Sequence, residues 1–411
     1  MGQSVGLSGW LDEVIAGDGV FILKRLSGND TLANGSHQAG FYLPKNFILS
    51  LFPEWARQFG SNQKAIIRLT LESHDHDRDV TATWYNNKFR EGGGTRDEAR
   101  ITGFGGAASP LLDPESTGAL VALYFQRSSA SESARCRAWL AKSPEEEDHM
   151  ESLFGWVEPG RLLQQGQFSL VDNATPSVEI ADSRGSCWMR PDQIPVAWLS
   201  TFPSGLELVE HVLTSMPADG LDPDSRLVKR RICEEQAFYS VEEARDLEAV
   251  QAGFPDIASF MVKAKSMTQR RLSRSGRSLE LHARQIFEEE GLRAGKGYSW
   301  QPTTEHGKKP DFLFPSQEAY QDPDFPADRL RMLAVKTTCK DRWRQVINEA
   351  DRLDSSHLLT LQEGVSERQF AEMRSEGVTL VVPEAICKSF HKSIRPQLMS
   401  LAEFIDEVKN L

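Results

Sequence analysis

Lys308-Lys309-Pro310-Asp311-Phe312-Leu313-Phe314 and Arg331-Met332-Leu333-Ala334-Val335-Lys336 hold two short apolar runs, each bordered by charged residues. Short apolar runs of this kind, set off by proline and polar residues, read as buried strands. Upstream, Ser278–Gly291 has the period of an amphipathic helix, and Glu280 shares its inward stripe with Ala283 and Phe287. Downstream, Lys340-Asp341-Arg342-Trp343-Arg344-Gln345 opens a polar segment that reaches Glu349. Its apolar positions Trp343, Val346, Ile347 and Ala350 are spaced as on a helix. Helix, strand, strand, helix predicts a mixed sheet flanked by helices.

Asp311 and Lys336 stand 25 positions apart, which leaves room for two strands and a loop. An Asp at the head of one strand and a Lys on its neighbour is the arrangement of metal-dependent nucleases of the PD-(D/E)xK type. There a carboxylate holds a divalent metal, and the lysine polarises the attacking water or the phosphate. Two positions before Lys336, where that pattern has Asp or Glu, stands Ala334. On the predicted helix Arg342, Gln345 and Glu349 share one face, so Glu349 can refill the ligand position from the helix. An inward Glu280 needs a partner or a metal as well, because an unpaired buried charge is costly.

Three stretches carry a resemblance: Ser278-Leu279-Glu280-Leu281-His282, Lys308 to Ser316, and Leu330 to Gln345. They resemble the catalytic domain of the EcoRII family of restriction endonucleases. Lys24-Arg25-Leu26-Ser27, His37-Gln38-Ala39-Gly40 and Asp113-Pro114-Glu115-Ser116-Thr117-Gly118-Ala119-Leu120 extend the resemblance over nearly the whole chain. It implies an effector-DNA-binding domain similar to the plant B3 pseudobarrel over residues 1–172. A hinge at 173–192 and a catalytic domain at 193–411 would follow. Glu280, Asp311, Lys336 and Glu349 would be catalytic, with Mg²⁺ on Asp311 and Glu349. Lys340, Asp341 and Arg342 would read the target; Arg and Lys suit guanine and Asp suits cytosine, so the triplet matches C·G pairs. Arg231 would lie near the centre of the site. Lys24, His37, Tyr42, Arg96, Glu98 and Arg100 would line the effector cleft, where Gly94 and Ala99 replace two basic residues of the family. The implied reaction is cleavage of CCWGG-type sites before the first C, leaving a five-base 5′ overhang. The central A·T pair would be extruded. A homodimer, activation by a second copy of the site, and a partner cytosine methyltransferase complete the expectation.

Composition sets outer bounds. At 411 residues two domains are expected, since single cores stop growing at about 250–300 residues. The net charge of −12 argues against a non-specific nucleic-acid coat, but local fields decide sequence-specific binding. No run approaches the length of a membrane helix, and the N-terminus lacks the pattern of a signal peptide, so a cytoplasmic location is expected, which the resemblance implies to be prokaryotic. Cys136, Cys187, Cys233, Cys339 and Cys387 are scattered and odd in number, which reads as reduced thiols. Between Asp256 and Glu280 there is no acid, while Lys263, Lys265, Arg270, Arg271, Arg274 and Arg277 are basic. That run is either a solvated linker or a track for phosphates.

Residues 1–172 carry short apolar runs at Val20–Leu23, Gly40–Leu43, Ala65–Leu71, Val80–Tyr85 and Ala119–Phe125, with turn residues between them. This spacing predicts a mainly β barrel or sandwich, with helices at Phe47–Phe59 and Ser143–Phe154. His74-Asp75-His76-Asp77 reads as a solvated loop rather than a metal site. From about Pro195 the period becomes helical, at Leu206–Ser215, Asp224–Val241, Val241–Gln251 and Ile257–Ser266. Leu358–Leu361, Glu367–Glu376 and Val378–Val382 then alternate strand, helix and strand, completing an α/β domain. Two other readings compete with a restriction nuclease. One is a repair-type nuclease on the same core, which the Lys340-Asp341-Arg342 triplet disfavours. The other is a non-cleaving sequence-specific DNA-binding protein, which the joint presence of Asp311, Lys336 and Glu349 disfavours.

Overall fold

A computed structural model describes residues 6–35, 40–56, 62–89, 94–127, 133–165, 185–218, 220–347 and 349–411. The chain divides into two compact units. One gathers Met1–Ala181 with Gln362–Gln369 and Ser389–Ser393; the other gathers Asp182–Leu361, Phe370–Lys388 and Ile394–Leu411. Residues 173–184 of the expected hinge lie outside the described residues.

The first unit is mainly β, as the turn-punctuated sequence predicts. Its strands are β1 (Val20–Arg25), β2 (Phe41–Leu43), β3 (Gln63–Leu71), β4 (His76–Tyr85), β5 (Glu98–Thr102), β6 (Leu120–Arg127), β7 (Ser133–Leu140) and β8 (Leu162–Gln165). Among the described residues they form one sheet in the order β2-β5-β4-β3-β7-β6-β1-β8. β3 and β7 run parallel, and the other neighbours are antiparallel. Along β3, Ala65, Ile67, Leu69 and Leu71 are buried while Lys64, Ile66 and Arg68 are exposed, which is the two-residue period of a half-buried strand. The sheet curls: the Lys24 ammonium on β1 lies 6.0 Å from the Phe41 ring on β2, although the two strands stand far apart in the strand order. Helices α1 (Leu7–Ile15), α2 (Lys45–Leu51) and α3 (Pro144–Phe154) accompany the sheet. α2 stops well before the expected Phe59, because Pro53 cannot continue a helix and opens a 3₁₀ turn instead.

The second unit is α/β. α4 (Val196–Ser200) and α5 (Gly205–Ser215) precede two long helices, α6 (Pro223–Ala252) and α7 (Ile257–Glu289). β9 (Ser299–Trp300), β10 (Phe312–Phe314), β11 (Arg331–Val335), β12 (Ser356–Leu359) and β13 (Val378–Val381) form a sheet in the order β13-β12-β11-β10-β9. It is antiparallel from β9 to β11 and parallel from β11 to β13. α8 (Gln317–Gln321), α9 (Glu367–Ser375), α10 (Glu384–Cys387) and α11 (Leu401–Lys409) complete the chain. Leu279, Ala283, Ile286 and Phe287 on α7 enter a core with Phe312, Phe314, Leu333, Leu359 and Phe404. Phe287 meets Phe312 and Phe314 edge-on at 5.2 and 5.4 Å between ring centres, a preferred aromatic geometry.

Three expectations are corrected. The basic run from Lys263 to Arg277 is neither a linker nor a free track; it belongs to α7, which is continuous over 33 residues. Several of its charges are met by acids of α6: Lys263 bonds Asp246 at 2.6 Å, Arg271 bonds Glu242 at 2.5 Å, and Arg270 also reaches Asp246. The segment from Lys340 to Glu349 is not a helix but a string of turns around a 3₁₀ turn at Trp343–Gln345. Its apolar residues Trp343, Val346 and Ala350 are buried, so the spacing that suggests a helix here anchors an irregular segment. Finally, Cys187 and Cys233, 46 positions apart, are joined in a disulfide, a proximity that sequence spacing does not reveal. Cys136, Cys339 and Cys387 are not in disulfides. Among the described residues no helix is long and apolar enough to cross a membrane.

Arg25 at the end of β1 shows what holds the first unit. Its guanidinium donates to Glu147 at 2.7 Å, to Glu151 at 2.6 Å and to the Val157 carbonyl at 3.0 Å, and it is 3 % exposed. Arg25→Met removes the cation and strands both glutamates on α3. It is expected to destabilise the first unit by about 3–5 kcal/mol, seen as an earlier thermal transition by calorimetry; an unchanged transition would show the pairing to be dispensable.

Candidate active site

β10 and β11 pair with Phe312 opposite Leu333, and that register sets Asp311 level with Ala334. Asp311 therefore stands at the head of β10 while Lys336 follows the last residue of β11. The Val335 N–H donates to Asp311 Oδ2 at 2.7 Å, and the Lys336 ammonium lies 3.8 Å from the same oxygen. The Lys336 N–H donates to the Leu359 carbonyl at 3.0 Å, which prolongs the ladder and holds the lysine's backbone. Two strands thus bring together residues that the sequence places far apart.

Glu280 reaches the site from α7. It is 6 % exposed, and it accepts hydrogen bonds from the Trp300 indole and, at 2.8 Å, from the Gln301 amide. Burial, together with the charge of Asp311, raises its pKa against those two hydrogen bonds. Glu349 arrives from the turn segment. Burial pushes its carboxyl up to about 7, with Lys336 opposing and the Asp311 charge adding to the rise. Asp311 is the shared neighbour in both cases. A carboxylate whose charge raises the pKa of two buried neighbours has the electrostatics a divalent cation relieves. Among the described residues no cluster of three or more metal-ligating side chains is present. Asp311 and Glu349 are oxygen donors of the kind a hard, hydrated cation takes one or two at a time.

The residues expected to read DNA divide. In the turn just after the β11 end, the Lys340 ammonium meets Asp341 at 2.8 Å, and Arg342 follows them before the 3₁₀ turn. Arg231 is placed differently. It is buried on α6 and bonds Glu234 at 3.3 Å, in a cluster with Ser278, Arg274 and His282. Glu234 is fully buried; despite that burial, the His282 hydrogen bond and the Arg274 and Arg231 charges hold its pKa down at about 2. To touch a base, Arg231 would have to leave that cluster.

In the first unit, Tyr42 on β2 faces Arg100 on β5, Arg100 faces Thr83 on β4, and Glu98 faces Tyr85. Directly opposed residues share a face, so these side chains form one patch. Glu98 lies 3.4 Å from Arg100 and 3.6 Å from Arg96, whose guanidinium stacks 5.2 Å from the Tyr85 ring. Lys24 is committed to Asp30 at 2.5 Å. His37 lies outside the described residues. Ala99 is fully buried between Leu43 and Trp84, so that position adds no charge to the patch. Sequence reasoning missed Trp300 and Gln301, whose contacts with Glu280 have no motif to announce them.

Comparison with known proteins follows the same two-part division. A family model described as Restriction endonuclease EcoRII, N-terminal, matches residues 16–167, and one described as EcoRII C terminal matches residues 238–405. Type II restriction enzyme EcoRII of Escherichia coli is 40% identical over 404 residues, covering 98% of this chain and 97% of that protein. Among solved structures, metal-depleted Ecl18kI in complex with uncleaved, modified DNA is 18% identical; it covers 54% of this chain and 84% of its own, with a TM-score of 0.43. The PspGI–substrate DNA complex is 16% identical and covers 54% of this chain and 95% of its own, with a TM-score of 0.42.

The raised Glu349 carboxyl sets a direction for pH. A cation at this site must displace its proton, so Mn²⁺ affinity is expected to climb as pH rises from about 6 through about 7 and to level off above. Titration calorimetry of the wild type and of Glu349→Gln checks this. A pH-independent affinity in the wild type, or full affinity in the variant, would remove Glu349 from the site.

Proposed function

The chain belongs to the EcoRII family of type II restriction enzymes, and from that premise we propose that it hydrolyses double-stranded DNA at CCWGG-type sites with Mg²⁺. The observation that carries the reading is the Asp311–Lys336 pair at adjoining strand ends, with the Glu349 carboxyl close enough to feel both charges. Asp311 and Glu349 would hold the ion; when bound, Mg²⁺ neutralises charge on the scissile phosphate and lowers the pKa of water. The Val335 N–H turns the Asp311 carboxylate into the site. The Lys336 ammonium, on a backbone held by the strand ladder, would meet a phosphate oxygen and the entering water. Glu280, held by Trp300 and Gln301 and within reach of the Asp311 charge, would orient Lys336 or the outer shell of the ion.

Recognition follows from the turn that leaves β11. Lys340, Asp341 and Arg342 present donor, acceptor and donor groups close in sequence to Lys336, so reading and cutting share one segment. Lys or Arg on guanine and Asp on cytosine suit the C·G pairs of such a site. Arg231 would act near the centre of the site after release from its cluster. A palindromic target asks for two copies of the chain, one per half-site, and so for a homodimer. The Tyr42, Arg96, Glu98 and Arg100 patch, with Lys24 and His37, would take a second, effector copy of the site and activate cleavage. We further propose residues 1–172 as the effector domain, 173–192 as the hinge and 193–411 as the catalytic domain. A cognate cytosine methyltransferase would protect the host genome.

Unmethylated plasmid carrying several CCWGG sites tests the whole reading. With Mg²⁺ the wild type is expected to yield discrete fragments ending before the first C, and EDTA abolishes them. Lys336→Ala is expected to lose at least about a hundredfold in rate while still retarding target duplex. A one-site plasmid should be cut only when target duplex is added. Intact plasmid with binding retained would favour a non-cleaving reader, and random nicking a repair-type nuclease.

A further inference from the structure

One short segment touches all three acidic residues of the site. From Trp300 to Thr304 the chain leaves β9 and turns back toward β10. The Trp300 indole donates to Glu280, and the Gln301 amide donates to the same carboxylate oxygen at 2.8 Å. The Gln301 backbone N–H donates to the Asp311 carbonyl at 2.9 Å. Thr304 Oγ1 donates to the Glu349 carbonyl at 2.7 Å, and its N–H donates to the Lys308 carbonyl at 2.9 Å, which closes the loop. Gln301 adopts a φ of +48°, a left-handed backbone that a long side chain seldom takes. Such a conformation persists only where the surroundings over-determine it. Here the ties to Asp311 and Glu280 do so.

We infer that Trp300, Gln301 and Thr304 form a brace that sets the spacing of Glu280, Asp311 and Glu349, and that Gln301 and Thr304 are positioning residues for the metal-binding carboxylates. The inference rests on the nuclease reading above for the role of those carboxylates. Asp311 at a strand end repels both Glu280 on the helix and Glu349 on the irregular turn. Without a common tie, the turn bearing Glu349 is free to back away from Asp311. The brace joins the backbones of Asp311 and Glu349 and the side chain of Glu280 through five consecutive residues. It thus opposes that separation without itself supplying a charge. The Arg284 guanidinium, stacked 4.5 Å from the Trp300 ring, holds the indole in place from the α7 side.

Gln301→Gly and Thr304→Val, each in the full-length chain, test the brace. Glycine accepts the left-handed backbone and removes only the amide; valine keeps the shape of threonine and removes only the hydroxyl. Both variants are expected to keep the wild-type melting temperature, with Gln301→Gly unchanged or higher. Each is expected to weaken Mn²⁺ binding, measured by calorimetry without DNA, by about ten- to a hundredfold. The Mg²⁺ concentration for half-maximal cleavage should rise in parallel and kcat should fall, while KM for target duplex stays within about twofold. Thr304→Ser, which keeps the hydroxyl, should restore both readouts. Metal affinity and kcat within twofold of the wild type in both variants would overturn the brace. So would a loss that Thr304→Ser fails to restore. A wild type that binds Mn²⁺ yet never cuts the plasmid would sink the nuclease reading instead, and the ratio of metal affinities would still decide the brace.

Discussion

The repulsion that the Asp311 charge exerts on Glu280 and on Glu349, with Lys336 as the nearby cation, is the constraint around which this part of the second unit is arranged. Burial raises the pKa of both glutamates, and the charge of Asp311 compounds it. A chain selected for stability alone would put apolar groups there, since buried ion pairs rarely outperform well-packed hydrophobic residues. The structure accepts the repulsion and fastens each acid by a different device: a strand N–H for Asp311, an indole and an amide for Glu280, a hydroxyl on the backbone for Glu349. The aromatic packing of Phe287 on Phe312 and Phe314 supplies the rigid floor, because it ties α7, which carries Glu280, to β10, which Asp311 heads.

The long hairpin of α6 and α7 answers a related problem. α7 carries a run of bases with no acid in it, and α6 carries the acids that meet them, so neither helix is electrostatically complete alone. Glu234 is the deepest of these acids. It is charged although fully buried, since His282, Arg274 and Arg231 surround it. That cluster sits within two residues of Glu280 along α7 at His282 and Ser278, so the electrostatics of the hairpin reach the helix turn that delivers a site carboxylate.

In the first unit the curvature of one sheet does comparable work. Tyr42, Arg100, Glu98 and Tyr85 come from three strands and reach one face because cross-strand register aligns them. The same register turns Ala99 inward against Leu43 and Trp84. Alternation along a strand thus separates a charged patch from a packed core.

Much of this is legible in the sequence. The turn-punctuated first half, the change to helical period near Pro195, the strands that carry Asp311 and Lys336, and the inward Glu280 all follow from apolar spacing, a local property of the chain. The local rule failed where non-local contacts override it. Four expected helices and the basic run between two of them are parts of two long helices, because charge pairing between α6 and α7 cannot be seen in either segment alone. Trp343, Val346 and Ala350 suggested a helix and instead pin a run of turns, since the same spacing also suits an irregular segment pressed on a core. Residue types and strand periodicity, then, were determined by the sequence by itself. The approach of Lys336 to Asp311, the burial of Arg231, the joining of Cys187 to Cys233 and the ties from Trp300, Gln301 and Thr304 to three acids were decided only by the tertiary structure. Each depends on distances between residues remote in sequence, which only the packed sheet and helices set.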